Sequence, residues 1–120
     1  MIKDNHIDQC GSIEKAIERT ISYLKEKGKQ LRIEVETRSL DDVRRVLAYE
    51  EVDWIMLDNF GPSLIKEAIP LIQGQKTTEA SGGINKDNIR EYAETGVDFI
   101  SSGAITQRAK ALDLSLKIES

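Results

Sequence analysis

Several residue types are scarce in this sequence, and each scarcity excludes a class of protein. Cys10 is the only cysteine among 120 residues, so the chain cannot form an internal disulfide. His6 is the only histidine, and one histidine with one cysteine is too small a donor set for a zinc site. No apolar run is long enough to cross a bilayer, and no signal peptide is visible. These features favour the reducing cytoplasm as the location.

An excess of charge of one sign is also lacking. The chain has 17 lysines and arginines against 21 acidic residues, a net charge of −4, although 32% of its residues are charged. Neither a basic run nor a stripe of mixed aromatic and basic residues is present, which argues against a nucleic-acid-binding surface. The length is sufficient for one modest domain with its own core.

What the sequence does contain is a regular alternation of strand and helix patterns. Predicted strands cover 31–37, 53–58, 76–81 and 97–101, and predicted helices start at Ser12, Ser39, Pro62 and Asn85. Pro70 should kink or end the third helix. The segment 111–118 alternates as a strand does but could be helical. Residues 1–7 contain either the end of a strand, at Met1 and Ile2, or an N-terminal arm.

This alternation predicts the fold class. Short βα units imply a parallel sheet with right-handed crossover connections. Four to five strands are visible, whereas a complete eightfold barrel takes roughly 250 residues. We therefore predict an α/β architecture in which parallel βα repeats form part of an incomplete TIM-like α/β barrel.

A glycine turn follows the third predicted strand. In the segment 79–84, EASGGI, Gly82 and Gly83 would let the backbone approach a ligand closely, and a helix starting at Asn85 would direct its N–H groups at the same place. Such a corner can hold a phosphate, with a second corner at 101–104 as its other wall. Taken alone, two glycines are more often only a tight turn.

Charged residues also stand near predicted strand ends. Arg32, Glu34 and Glu36 share one face of the first strand, where charged groups would need partners or a function. Glu36 and Asp58 end neighbouring strands, so their carboxylates could share a divalent cation, and Lys3 could meet an anionic substrate. Each has a plain structural alternative, as a salt-bridge partner, helix cap or surface charge. Together they suggest metal-assisted chemistry on a phosphorylated substrate, with isomerase, lyase and transferase all open.

Six short segments of the sequence form a recognisable series: MIKDNHI at 1–7, EVE at 34–36, IMLDN at 55–59, EASGGI at 79–84, ISSG at 100–103 and ALDLSL at 111–116. In this order and spacing they resemble the C-terminal barrel portion of the quinolinate phosphoribosyltransferases, also called nicotinate-nucleotide pyrophosphorylases (carboxylating). A molybdenum-transport-associated paralogue shares several of them. The resemblance covers essentially the whole chain, residues 1–120.

The resemblance implies a reaction and a set of site residues. Quinolinate and phosphoribosyl pyrophosphate would give nicotinate mononucleotide, pyrophosphate and CO₂, a step in NAD biosynthesis, with Mg²⁺ as cofactor and a homo-oligomer as the assembly. Lys3 would bind a quinolinate carboxylate with His6 in support, and Glu36 and Asp58 would hold the ribose hydroxyls and Mg²⁺. The residues that would bind the 5-phosphate are Ser81, Gly82, Gly83 and Gly103.

The resemblance also implies what this chain lacks. Family members carry an N-terminal domain and early barrel strands that supply most of the quinolinate-binding residues, so we expect the 120-residue chain alone to be inactive or nearly so. Two other interpretations stay open from the residues. One is a different phosphate-binding barrel enzyme, such as a sugar-phosphate isomerase or lyase. The other is a non-catalytic half-barrel that self-associates to cover its open edges.

Overall fold

The computed structural model describes residues 1–102 and 105–110, apart from the side chains of residues 4–6 and 105. The helices are α1 (Asp4–Cys10), α2 (Ile13–Glu26), α3 (Leu40–Val46), α4 (Pro62–Ile72) and α5 (Ile89–Ala93). The strands are β1 (Ile33–Thr37), β2 (Val52–Asp58), β3 (Thr77–Ser81), β4 (Phe99–Ser102) and β5 (Ile105–Arg108). The predicted strand or helix at 111–118 lies outside the described residues, and no described helix has the length and apolar character needed to cross a membrane.

The described strands form one sheet in the order β1-β2-β3-β4-β5. The first four are parallel, which confirms the predicted βα repeats, whereas β5 runs antiparallel to β4 and was not predicted. Ile2 adds a parallel bridge to Val35 on the outer side of β1. Its N–H donates to the Glu34 carbonyl at 2.7 Å and its carbonyl accepts from the Glu36 N–H at 2.9 Å, so Ile2 continues the parallel order.

The helices begin where the sequence offers capping groups. The Ser12 hydroxyl accepts from the Lys15 N–H at 3.2 Å at the start of α2, and the Ser39 hydroxyl accepts from the Asp42 N–H at 3.1 Å at the start of α3. The Asp42 carboxylate reaches back to the N–H of Arg38 rather than to that of Ser39, at 3.0 Å. The predicted caps at Ser12 and Ser39 are therefore confirmed.

Several predicted boundaries differ from the structure. Leu31 is 63% exposed and precedes β1, which begins at Ile33, and β4 begins at Phe99 rather than at residue 97. Pro70 lies inside α4, which continues to Ile72, so the proline does not end the helix, and the alternative effect, a kink, stays a prediction. The helix predicted to start at Asn85 begins instead at Ile89, because the Asn85 side chain accepts from the N–H groups of the two turn residues 87 and 88 and so builds a turn.

One face of the sheet packs in a single hydrophobic core with the helices. Val35, Ile55 and Leu57 are completely buried there, as are Val43 of α3 and Ile65 of α4. Because side chains alternate along a strand, the residues between these positions project from the opposite face. That opposite face carries the charged and polar strand residues.

Side chains also tie the strands together at the amino end of the sheet. The Asp53 carboxylate accepts from the Ile33 N–H at 3.1 Å, and the Asp98 carboxylate accepts from the Thr78 N–H at 2.9 Å. Lys76 is 7% exposed and donates from Nζ to the main-chain carbonyls of Tyr49, which lies between α3 and β2, and of Val52, the first residue of β2, each at 2.7 Å. The amino edge is thus occupied by structural contacts.

Candidate active site at the carboxyl edge of the sheet

The strand register places the predicted site residues in rows across the polar face of the sheet. Asp58 pairs with Ser81, and Thr37 pairs with Leu57, so Arg38 follows β1 at the level of Asp58. The upper row at the carboxyl edge therefore contains Arg38, Asp58 and Ser81. Glu36 pairs with Met56, which pairs with Glu79, and these three form the row below.

The two carboxylates predicted to work together thus lie on the same face but in different rows. Asp58 is at the rim, and Glu36 is one row deeper. Arg38 lies beside Asp58, with its Nε 3.9 Å from Oδ2, and the Arg38 and Asp58 side chains are 64% and 19% exposed respectively. Sequence reasoning did not identify Arg38, although its position directly after a predicted strand end was a usable signal.

Lys3 also lies beside β1. The Ile2 carbonyl accepts from the Glu36 N–H, so the residue that follows Ile2 is held at the level of Glu36, and Lys3 is exposed there. The structure thereby places Lys3 beside β1 at the level of Glu36. Two further predicted residues are not placed, because the His6 side chain and the whole of Gly103 lie outside the described residues.

The glycine turn is locked against the end of β2. Gly82 has φ +91°, and a Cβ added to it would overlap Asn59 Oδ1 and lie 3.1 Å from the Asn59 main-chain nitrogen. The Asn59 N–H donates to the Ser81 carbonyl at 2.9 Å, which holds the two strand ends together. Gly82 is required both by its conformation and by this close approach. Gly83 has φ +68°, but a Cβ added there would have no neighbour within 4 Å in residues 1–102 and 105–110.

The turn beyond the glycines is held by asparagine side chains. Asn88 Nδ2 donates to the Gly83 carbonyl at 2.8 Å, and Asn88 Oδ1 accepts from the Asn85 N–H at 2.8 Å. Ser102 Oγ donates to the Ile84 carbonyl at 3.2 Å and connects the second predicted corner to the first. Because α5 starts only at Ile89, the N–H groups available to a ligand here are those of the glycine turn rather than those of a helix end.

Buried carboxylates on the polar face form a second feature that sequence reasoning only partly identified. Glu79 is 5% exposed and accepts from Ser101 Oγ at 2.5 Å. Glu34 is 9% exposed, and its Oε1 has no hydrogen-bond partner among the residues that the structure describes. Burial raises the pKa of Glu34, and repulsion from Glu79 raises it further, against opposing effects of Arg32 and the amino terminus.

Arg32 completes the lower part of this face. Its guanidinium lies 4.1 Å from the centre of the Trp54 ring and 3.9 Å from Glu34 Oε2. Trp54 in turn stacks on Phe99 with ring centroids 4.7 Å apart. Arg32 and Glu34, two of the charged groups predicted to need partners on this face, therefore have them.

The side chains of this edge match part of what Mg²⁺ requires. No group of three or more Asp, Glu, His or Cys side chains in the described part of the chain could hold a metal by itself. Mg²⁺ is usually held by one or two carboxylates, with waters and substrate phosphates completing its shell. Asp58 at the rim and Glu36 below it fit a Mg²⁺ ion that binds together with a phosphorylated ligand.

A parallel βα sheet with carboxylates and a glycine turn at its carboxyl edge is typical of the α/β-barrel enzymes. Comparison with known families shows to which family within this class the chain belongs. The C-terminal domain of quinolinate phosphoribosyl transferase matches residues 1–117, and the chain belongs to this family.

Relatives and solved structures agree with the family assignment. The chain is 43% identical over 133 residues to quinolinate phosphoribosyltransferase [decarboxylating] 2, mitochondrial, of Nicotiana glauca, covering 99% of this chain and 38% of that protein. It is 44% identical over 128 residues to the probable nicotinate-nucleotide pyrophosphorylase [carboxylating] of Methanocaldococcus jannaschii, covering 98% and 42%. The crystal structure of nicotinate-nucleotide pyrophosphorylase from Ehrlichia chaffeensis superposes with a TM-score of 0.76 at 42% identity, covering 89% of this chain and 38% of that one.

The comparisons decide between the two enzyme families considered from the residues, whereas self-association of a non-catalytic half-barrel stays a prediction. The resemblance to the quinolinate phosphoribosyltransferases is confirmed, and so is the expectation of a partial α/β barrel. None of these relatives is a sugar-phosphate isomerase or lyase. The chain spans about two fifths of the length of the relatives that it matches.

Proposed function

We propose that this chain carries the phosphoribosyl pyrophosphate-binding part of a decarboxylating quinolinate phosphoribosyltransferase. The observation that supports this most directly is the upper row of the site, in which Asp58 pairs with Ser81 and the following Gly82 packs on Asn59. A carboxylate, a hydroxyl and exposed turn N–H groups thus meet at one edge of the sheet. These are the groups that a ribose, its 5-phosphate and a Mg²⁺ ion require.

The proposed roles follow the positions of the residues. Asp58 and Glu36 orient the ribose hydroxyls and contribute oxygens to Mg²⁺. Lys3, beside Glu36, binds a carboxylate of quinolinate, with His6 in a supporting role. The 5-phosphate is bound by the two corners, through Ser81, Gly82, Gly83 and Gly103.

The proposed reaction joins the pyridine nitrogen of quinolinate to C1 of the ribose. Pyrophosphate leaves, CO₂ is then lost from the pyridinium ring, a proton from solvent replaces it on the ring carbon, and nicotinate mononucleotide remains. Positive charge builds on the ribose as the bond to pyrophosphate breaks, and the carboxylates of Asp58 and Glu36 stabilise that charge. Bound Mg²⁺ would neutralise charge on the leaving pyrophosphate. Most of the catalysis is therefore positioning and electrostatics, without a covalent enzyme intermediate.

The setting of the protein is part of the proposal. We propose a homo-oligomer in the cytoplasm, which the unpaired Cys10 is compatible with. The names of two plant relatives place those proteins in mitochondria and chloroplasts, which differs from the cytoplasmic location proposed here. Size-exclusion chromatography with light scattering would measure the assembly.

Calorimetric titration with phosphoribosyl pyrophosphate, with and without Mg²⁺, tests the proposed binding. We expect binding that requires Mg²⁺ and that is lost in Asp58→Ala. Glu67→Ala is the matched control, because it removes one carboxylate from an exposed position on α4. Equal binding by Asp58→Ala and the parent chain, or binding that ignores Mg²⁺, would contradict the proposed site.

A further inference from the structure

Arg38 occupies a position in the site for which the roles proposed above do not account. It follows β1 at the level of Asp58 and Ser81, so a cation, a carboxylate and a hydroxyl come from three successive strands. The Arg38 Nε lies 3.9 Å from Asp58 Oδ2. In the structure, therefore, the guanidinium stands beside the carboxylate that is proposed to take part in Mg²⁺ binding.

The backbone of Arg38 is fixed on both sides while its side chain is largely exposed. Thr37 is completely buried, and its Oγ1 donates to the Met56 carbonyl at 2.9 Å. The Arg38 N–H donates to Asp42 Oδ2 at 3.0 Å. The Arg38 side chain is 64% exposed, so the guanidinium can change partners at little packing cost. The fold thus holds an adaptable cation at a fixed place on the carboxyl edge.

Binding of a divalent cation at Asp58 would put two positive groups beside one carboxylate. The guanidinium would then lose much of its attraction to Asp58 and be repelled by the metal ion. A diphosphate that arrives with the cation offers a replacement, because its oxygens match the planar, forked donors of an arginine. The diphosphate with its bound cation would therefore break the contact between Arg38 and Asp58 and also become the new partner of Arg38.

We propose that Arg38 is a further binding residue that exchanges Asp58 for the diphosphate of the ligand when Mg²⁺ binds. The inference rests on the proposed function of the site and extends it by assigning a diphosphate contact. It predicts effects of opposite sign for two probes. Removing the guanidinium relieves competition for Asp58 and so strengthens binding of Mg²⁺ alone, but it weakens binding of a diphosphate in the presence of Mg²⁺.

The test is calorimetry on the 120-residue chain and on Arg38→Met, titrated with Mg²⁺ alone, with pyrophosphate plus Mg²⁺, and with ribose 5-phosphate. For Arg38→Met we expect about threefold tighter Mg²⁺ binding and about tenfold weaker pyrophosphate binding, since charge-assisted hydrogen bonds are the stronger kind. Binding of ribose 5-phosphate should change by less than about twofold, because that phosphate is assigned to the glycine corners. Arg38→Lys should recover only part of the pyrophosphate affinity, because an ammonium group lacks the fork.

Controls separate failure of this inference from failure of the proposed site. Arg44→Met removes an arginine from an exposed position of α3 and should change none of the three affinities. Circular dichroism confirms that each variant is folded. If Arg38→Met binds pyrophosphate as well as or better than the parent chain, Arg38 only screens Asp58 and the inference is overturned while the proposed site stands. If the folded parent chain binds neither Mg²⁺ with pyrophosphate nor ribose 5-phosphate, both are overturned.

Discussion

Replacing Gly82 by alanine should damage the glycine turn far more than the same change at Gly83. The two glycines are adjacent and both have positive φ, +91° and +68°. They differ in what a Cβ would meet: at Gly82 it would overlap Asn59 Oδ1 and lie 2.9 Å from Asn59 Cγ, whereas at Gly83 no atom of the described part of the chain lies within 4 Å. The pair therefore separates backbone strain from steric overlap.

The magnitude can be estimated from these two contributions. A left-handed conformation costs an L-residue roughly 1–2 kcal/mol, so the free energy of unfolding of both variants should fall by that amount. Forcing a methyl group into an occupied place destabilises the fold by roughly a further 1–3 kcal/mol, and only Gly82→Ala should show this second effect. Relief of the overlap requires the Asn59 side chain to rotate about χ1, and the Asn59 main-chain nitrogen, 3.1 Å from the added Cβ, is held by its hydrogen bond to the Ser81 carbonyl at 2.9 Å. We expect Gly82→Ala to be less stable than Gly83→Ala by about 2 kcal/mol.

Urea unfolding measures this difference. With a denaturant slope of about 1.5 kcal/mol/M, the midpoint of Gly82→Ala should lie about 1.3 M below that of Gly83→Ala. In the Asn59→Gly background the amide is absent and glycine accepts the positive φ of residue 59, so the extra cost of Gly82→Ala should shrink by at least half. Equal midpoints for the two alanine variants, or an undiminished cost without the Asn59 side chain, would refute the steric argument.

Two further predictions concern buried charges. The pKa of Glu34 is raised above its ordinary value of 4.5, chiefly by burial. The contribution of Glu34 to the free energy of unfolding is therefore complete below that pH and is lost as the pH rises through the raised pKa. Glu34→Gln stays uncharged, so its stability relative to the parent chain should increase between about pH 4 and pH 7, and a difference between the urea midpoints of variant and parent that does not change with pH would contradict this. Lys76→Met should lose about 2–3 kcal/mol, because the Tyr49 and Val52 carbonyls lose a charged donor at 2.7 Å each. Lys66→Met, at an exposed position of α4, is its control, and equal unfolding midpoints for the two lysine variants would show that these hydrogen bonds contribute nothing.

Patterns within short sequence segments predicted the positions of most helices and strands, because these depend on side-chain periodicity and capping residues. The helix start at Ser12 and the strand at 53–58 were predicted nearly to the residue, because helix and strand periods differ and caps mark helix starts. The start of α5 was missed, because an asparagine caps a helix and builds a turn with the same side-chain oxygen. The antiparallel β5 has no apolar alternation and is recognisable only by its pairing with β4.

The sequence by itself determined which residues stand at strand ends, and with them the family to which the chain belongs. Only the tertiary structure decided the rows: Asp58 lies beside Ser81 and Arg38, while Glu36 lies one row deeper. It also showed that Gly82 is required by contact with Asn59, whereas Gly83 is not. The physical reason is that register in a parallel sheet is fixed by hydrogen bonds between strands about twenty residues apart and by the helices packed across them. The residues that neighbour a position in the sequence therefore do not determine which residue of the next strand it pairs with.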